Sequence, residues 1–224
     1  MTGEASKSNA MARLGGPAAV VFALVFALAR CATPGNLGAS DQDKPLYPGP
    51  QSNLASLSEI IAAHPDDPQA YNMRGSVYGD AGRTEQALAD FNKAIGLRPE
   101  DAEAYYNRGL LFQSQRQHAF AIDDFSTAIG FASKQSDPYV ARALSYLALA
   151  NAKSAAEDLD EAVQLDPGNL RAWTSRGLAY ERLGQKDEAA GSYAKALNLS
   201  DKYQPAKEGF ARVGGKIGQT YPTF

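Results

Sequence analysis

Aromatic, small and aliphatic residues recur along this chain with a constant period of 34 residues. The four recurring sets are Tyr71, Gly75, Tyr78, Ala87, Phe91 and Ala94; Tyr105, Gly109, Phe112, Ala121, Phe125 and Ala128; Tyr139, Ala143, Tyr146, Ala155, Leu159 and Ala162; and Trp173, Gly177, Tyr180, Ala189, Tyr193 and Ala196. In each set the first three positions stand at i, i+4 and i+7, which is one face of an α-helix, and the last three repeat that spacing. Each period therefore predicts two helices joined by a turn, and the small residues allow the two to pack closely.

Prolines and N-cap residues predict where these helices begin and end. Second helices end before prolines that share one register, namely Pro65, Pro99 and Pro167. Asp67-Pro68 and Asp137-Pro138 are each typical of an N-cap followed by proline at the first helical position. Ser133 stands where another proline is expected, which predicts an irregular junction near 130–136.

This pattern resembles the tetratricopeptide repeat, a helix–turn–helix unit with the same period. The resemblance implies an all-α fold, an α-solenoid of stacked repeats. Its parts are repeat one at 68–101, repeat two at 102–135, repeat three at 136–169 and repeat four at 170–203, with a degenerate half-repeat at 53–67, a capping helix at 204–214 and a tail at 215–224. Atypical end units of this kind keep a stack of repeats soluble.

An apolar run of 13 residues, 17–29, precedes the repeats. It is shorter than the roughly 20 residues that cross a bilayer, and it has the size of a secretory signal, with Arg13 ahead of it. We therefore expect export, with a signal peptide or lipid-anchor region at 1–31 that starts at Met1 or Met11. Residues 32–52 are rich in Gly, Pro, Ser and Asp and predict a flexible linker.

Cys31, the only cysteine, stands directly after the apolar run. The sequence Leu28-Ala29-Arg30-Cys31 resembles the lipobox of bacterial lipoproteins, which implies lipidation of Cys31. Arg30 departs from the family, which has a small residue immediately before the cysteine. Two alternatives stay open: cleavage at Ala27-Leu28-Ala29 into a soluble periplasmic product, and an uncleaved anchor.

Charge and motif content exclude several classes of function. The formal net charge is −3, and no basic run of five residues occurs, so we expect no nucleic-acid binding. Neither His64 nor His118 has a histidine or cysteine three or four residues away, so the spacing does not favour a metal site. No nucleophile elbow or phosphate-binding loop is present. We expect no catalytic residue and no cofactor.

Charged residues follow the same period. Arg74, Arg108, Arg142 and Arg176 share one repeat position, and Asp90, Asp124 and Asp158 share another, which Ser192 occupies in repeat four. Because the two recur together, they predict structural ion pairs within or between repeats. The alternative is a row of arginines that binds an acidic partner.

The family resemblance also implies where a partner binds, because first helices of tetratricopeptide repeats line the concave surface. Carried onto this sequence, the candidate contacts are Asn72, Ser76, Tyr106, Asn107, Leu110, Val140, Leu144, Leu147, Arg171 and Arg182. In repeat three, Val140, Leu144 and Leu147 lie along one helix face and predict an exposed apolar stripe. A partner, the tail at 215–224 or a second copy in a homodimer are the candidates to cover it.

Taken together, these features predict a non-enzymatic scaffold of the bacterial cell envelope that faces the periplasm and binds partner peptides or helices. The combination of anchor and repeats resembles the NlpI-like lipoproteins, which recruit envelope proteins. The alternative is a periplasmic assembly factor or chaperone that holds segments of secreted clients.

Overall fold

A computed structural model describes residues 54–216 and Tyr221. In this part of the chain there are ten α-helices and no strand, so the predicted all-α solenoid is confirmed. The helices are α1 (Leu54–Ala63), α2 (Pro68–Asp80), α3 (Thr84–Leu97), α4 (Ala102–Ser114), α5 (His118–Phe131), α6 (Ser136–Ala148), α7 (Ala152–Leu165), α8 (Leu170–Arg182), α9 (Lys186–Leu199) and α10 (Gln204–Arg212). The predicted signal, Cys31 and linker lie outside the described residues. No helix among those described is long and apolar enough to cross a bilayer.

The turns between repeats are uniform, so the predicted irregular junction is wrong. α5 ends at Phe131 and α6 begins at Ser136, which is the same spacing as between Leu97 and Ala102. The turn at Ser133 forms without proline because its backbone is closed by a hydrogen bond from Gln135 N to Ala132 O. Proline there favours the turn but is not required.

The two predicted N-caps have different outcomes. The carboxylate of Asp67 accepts a hydrogen bond from Gln69 N at 2.9 Å, as expected of an N-cap. In repeat three the N-cap position is Gln135, and Asp137 and Pro138 already belong to the first turn of α6. The interpretation of Asp137 as a cap is therefore wrong. Pro138 is tolerated because N–H groups in the first turn have no partner within the helix.

The turn inside each repeat uses a left-handed residue at the same position. Gly82 and Gly184 have φ values of 72° and 77°. Repeats two and three place Arg116 and Ala150 there, with φ values of 60° and 59°. A side chain disfavours this conformation, so these two turns carry local strain that glycine would relieve.

Within a repeat, the two helices touch at the small residue of the first helix. An ideal Cβ added at Gly75, Gly109 or Gly177 would lie 2.8, 2.6 or 2.6 Å from the aromatic ring of the same repeat. Those rings belong to Phe91, Phe125 and Tyr193. Repeat three instead pairs Ala143 with Leu159, and both are fully buried.

Successive helices stack in chain order, and the C-terminal end is closed by α10. Ala206 and Phe210 of α10 join the core that contains Tyr193, so α10 caps repeat four as predicted. The ring of Tyr221 meets that of Phe210 edge-on, with centroids 5.7 Å apart. This described residue of the tail therefore packs at the C-terminal end, where it covers α10 rather than repeat three.

Candidate partner-binding groove

The first helices of successive repeats contact one another and form one continuous face. α2 contacts α4, α4 contacts α6, α6 contacts α8, and α8 contacts α10. Because the repeats share one register, residues 34 apart lie at matching heights on neighbouring helices. We call this face the groove.

Three leucines at one repeat position form the apolar centre of the groove, and we call them the leucine row: Leu110, Leu144 and Leu178. All three are half-buried. Leu110 packs against the core around Phe125, and Leu144 and Leu178 pack against the larger C-terminal core. Each leucine is therefore fixed at its base and keeps part of its surface open. Ser76 holds the same position in repeat one, and its hydroxyl donates to Asn72 O at 3.1 Å.

Polar side chains from three repeats lie near one another on the helices of the leucine row. Tyr106 of α4 is half-buried, and its ring lies 5.8 Å from that of Phe125. Burial, together with the negative charge of Asp137, raises the pKa of Tyr106 to about 12, and the charge of Arg171 opposes this shift. Tyr106, Asp137 and Arg171 therefore lie close enough to interact across repeats. A neutral hydroxyl, a carboxylate and a guanidinium offer both donors and acceptors to a bound chain.

The predicted apolar stripe along α6 is wrong for two of its three residues. Val140 and Leu147 are 2% and 4% exposed, and only Leu144 is half-open. Both buried residues belong to the core shared with repeat four. Their repeat positions face the neighbouring first helices, so they pack between repeats. The exposed apolar surface therefore runs across the helices, along the leucine row.

Asn72 is likewise not open to a partner, because it is fully buried. Its side-chain oxygen accepts a hydrogen bond from Asn107 Nδ2 at 3.1 Å. This bond joins repeat one to repeat two, and Asn107 itself remains half-exposed. Arg182 is exposed, but its guanidinium donates to Leu147 O. Both contacts connect neighbouring first helices.

Two more polar links connect first helices further along the groove. Gln113 Nε2 donates to Ala141 O and to Ser145 Oγ, both at 2.8 Å. Glu181 accepts two bonds from Arg212 of the capping helix, at 2.7 and 2.9 Å. The hydroxyl of Tyr193 also donates to Glu181 at 2.7 Å, and together these bonds lower the pKa of Glu181. The groove floor is thus fixed by side-chain bonds from one repeat to the next.

The predicted structural ion pairs are confirmed in repeats one to three. Arg74, Arg108 and Arg142 each donate two hydrogen bonds, 2.7–2.9 Å long, to Asp90, Asp124 and Asp158. The same arginines also reach the preceding second helix, at Ser58, Asn92 and Ser126. The arginines therefore link neighbouring repeats. Their guanidinium N–H groups donate to side chains of this protein, as expected of structural ion pairs.

In repeat four the arginine also links two second helices, but its carboxylate partner belongs to the preceding repeat and not to its own. Arg176 donates to Ser192 Oγ at 2.8 Å within the repeat and to Asp160 of repeat three at 2.6 Å. Asp160 stands one period after Ser126, so the carboxylate and the hydroxyl have exchanged places. The sequence interpretation missed Asp160, although its register is visible in the sequence.

No group of three His, Cys, Asp or Glu side chains in residues 54–216 is arranged to hold a metal ion. Burial and the positive charge of Arg116 lower the pKa of His118, which begins α5 on the second-helix side of its repeat. Cys31, the predicted lipidation site, precedes the described residues.

Comparison with known proteins supports the repeat interpretation. Models described as "TPR repeat" and "Tetratricopeptide repeat" match residues 75–115 and 140–205. A search of curated proteins found no match. A solved structure described as "Crystal structure of MamA" is 30% identical, with a TM-score of 0.61, over 66% of this chain and 87% of that one.

Two further solved structures are similar. The Arabidopsis OM64 TPR domain is 28% identical with a TM-score of 0.50, over 51% of this chain and 94% of that one. The protein YrrB, described as "a TPR protein with an unusual peptide-binding site", is 22% identical with a TM-score of 0.65. That match covers 72% of this chain and 83% of YrrB, and it supports the fold only.

Proposed function

The chain belongs to the tetratricopeptide repeat family, and we propose that it is a non-enzymatic scaffold whose groove binds a segment of a partner protein. The observation that carries this proposal is the leucine row. Three half-open leucines stand at one position of adjacent first helices, and Tyr106, Asp137 and Arg171 lie beside them. A partner segment with apolar side chains on one face would bury the leucines, and its polar groups would meet the flanking residues.

The energetics of such an interface depend on the row. Burying one leucine side chain contributes about 1.5–3 kcal/mol, and these side chains have part of that surface left to bury. The floor is held by bonds between repeats, including Asn107 to Asn72 and Gln113 to Ser145. A groove that is already ordered loses little conformational entropy when a partner binds, which favours affinity.

We further propose that the scaffold acts in the bacterial cell envelope, attached through its N-terminus. The apolar run at 17–29 and Cys31 support this, as does the linker at 32–52 that separates them from the repeats. Residues 32–52 have the composition of a linker, and a flexible chain of about 21 residues spans roughly 25 Å. On this proposal the protein resembles NlpI-like lipoproteins in arrangement.

The test is affinity capture with groove variants. Full-length chain would be crosslinked in cells and purified from membranes, in parallel with Leu144→Gln and Leu178→Gln. Loss of buried leucine surface should weaken a genuine groove partner about tenfold or more for each variant. The matched control is Leu199→Gln, because Leu199 is exposed at the end of a second helix, outside the groove.

The outcomes separate the candidate functions. A scaffold should retain a few stable partners that disappear in both groove variants and persist in Leu199→Gln. Many unfolded clients would favour the chaperone alternative. Partners that are equally retained by groove and control variants would contradict binding at the leucine row. Labelling with a radioactive fatty acid, compared with Cys31→Ser, tests the lipid anchor separately.

A further inference from the structure

The turns inside repeats two, three and four expose large apolar side chains along one edge of the repeat stack. Phe120, Leu149 and Leu183 are 60%, 53% and 40% exposed. Leu149 and Leu183 share one repeat position, directly after a first helix, and Phe120 lies in the first turn of α5. We call this side of the stack, with the turns of these three repeats, the turn edge.

Exposed basic residues accompany these apolar side chains. Arg116, Lys153, Arg182 and Lys186 are all exposed on the turn edge. The turns at 114–120 and 148–154 contain no acidic residue, and Asp187 and Glu188 follow Lys186 at the start of α9. The opposite edge, made by the turns between repeats, is richer in acid. Its acidic residues are Asp66, Asp67, Glu100, Asp101, Asp166 and Asp201, against three basic residues.

The first described helix begins on the side of the turn edge. α1 leads through the turn at 64–67 into α2, and α2 ends at the intra-repeat turn. α1 and α2 contact each other as a second and a first helix do between repeats, so the start of α1 points towards the turn edge. By register, Leu54 corresponds to Leu88, one helical turn into α3. The described part of the chain therefore begins, at Leu54, on the side of the turn edge.

We propose that the turn edge rests on the surface of an anionic membrane. Basic side chains are attracted to anionic headgroups, and large apolar side chains insert at the boundary between headgroups and acyl chains. Both features coincide with the side from which the chain enters its repeats. The inference rests on the membrane attachment proposed above, and it goes further by specifying which surface of the repeats meets the lipid.

Tryptophan fluorescence can measure this contact, because Trp173 is the only tryptophan. Trp173 lies near the opposite edge, where its indole donates to Pro167 O at 2.8 Å. Full-length chain would be bound to vesicles of phosphatidylethanolamine and phosphatidylglycerol with brominated acyl chains, which quench nearby indoles. Phe120→Trp in a Trp173→Phe background should be quenched at least about twofold, whereas natural Trp173 should be almost unaffected. Leu149→Trp in the same background gives a second, independent reporter.

Matched variants test the chemistry of the contact. Leu183→Ser should reduce quenching of the Phe120→Trp reporter, whereas Leu199→Ser, a leucine of similar exposure on the opposite edge, should not. Vesicles of neutral phosphatidylcholine should give weaker quenching, and equal quenching there would overturn the anionic requirement. Circular dichroism would verify that each variant is folded.

Failure of this inference is distinguishable from failure of the proposed function. A chain that sediments with vesicles while neither reporter is quenched overturns docking of the turn edge and leaves membrane attachment standing. Equal quenching of Trp173 and the introduced indoles also overturns it. A chain that stays in the supernatant overturns both docking and attachment. Quenching as expected, without a partner in the capture experiment, supports the turn edge and contradicts the scaffold.

Discussion

Repeat two and repeat three have the same two-helix geometry but divide the space between their helices differently. In repeat two, Gly109 lies against the fully buried ring of Phe125, and an added Cβ would stand only 2.6 Å from that ring. In repeat three the matching positions hold Ala143 and Leu159, which are both fully buried in one core. Repeats one and four follow repeat two, with a glycine against an aromatic ring. The methyl group gained on one helix of repeat three is thus matched by a smaller side chain on the other.

This comparison teaches that the two positions are coupled. Protein interiors tolerate changes that conserve volume and resist changes that add or remove it at one position only. The effect of a substitution on the first helix therefore depends on the partner residue on the second helix. A repeat should accommodate either glycine with an aromatic residue or alanine with leucine.

The largest effect should come from emptying the contact. Phe125→Ala should lower the free energy of unfolding by about 3–5 kcal/mol, because it leaves a cavity in the core of repeat two. Leu159→Ala in repeat three should cost less, since a smaller side chain is removed. Urea unfolding monitored by circular dichroism measures both. A larger loss for Leu159→Ala would contradict the proposed division of volume.

Overfilling the contact should have the next largest effect. Gly109→Ala should cost about 1–3 kcal/mol, because the new methyl group meets the ring of Phe125. Adding Phe125→Leu should recover much of this loss by recreating the pair found in repeat three. The control is Gly130→Ala, where no atom lies within 4 Å of the added Cβ. It should be neutral or stabilising, since alanine favours helix. Strictly additive losses in the double variant would refute coupling.

A feature shared by the two repeats should give a comparable or smaller effect. Asp124 accepts two bonds from Arg108, just as Asp158 does from Arg142. Asp124→Asn should cost about 1.5–3 kcal/mol through weakened charge-assisted hydrogen bonds. Asp123→Asn alters an exposed neighbour and should change stability much less. Similar thermal melts for the two variants would contradict a structural role for the ion pair.

The smallest effect should be a gain in stability at the strained turns. Ala150→Gly should raise the free energy of unfolding by about 0.5–1 kcal/mol, because glycine adopts the positive φ at this position readily. Ala148→Gly, two residues earlier in the last turn of α6, should instead destabilise, since glycine disfavours helix. If both variants shift the melting temperature in the same direction, turn strain is not the cause.

The sequence was sufficient to place the helices, and the reason is physical. The 34-residue period combines helix periodicity with close-packing residues such as Gly109 and Ala121, and these determine both the elements and their neighbours. The arginine–aspartate pairs could be predicted because both partners recur in step. Asp160 was not predicted because it belongs to the repeat that precedes its partner Arg176. Ser192 occupies the position where the other repeats have the paired aspartate.

The candidate site was harder to predict because residues on one face of a first helix contribute to two different surfaces, the groove and the core between repeats. Val140, Leu144 and Leu147 share a face by helical geometry, yet Val140 and Leu147 pack into the core between repeats and only Leu144 is half-open. Helix periodicity alone cannot distinguish these fates, because the next first helix covers part of the same face. Comparing position 144 with Leu110 and Leu178 across repeats would have indicated the leucine row.

The most direct test of the proposed function is photocrosslinking from inside the groove. A photoreactive phenylalanine analogue would replace Tyr106, beside the leucine row, and in a parallel chain Phe131, an exposed aromatic residue outside the groove. The scaffold proposal predicts a discrete protein adduct from position 106 that is absent from position 131 and is lost when Leu144→Gln and Leu178→Gln are added. The same adducts from both positions, or adducts unchanged by the leucine substitutions, would contradict partner binding in the groove.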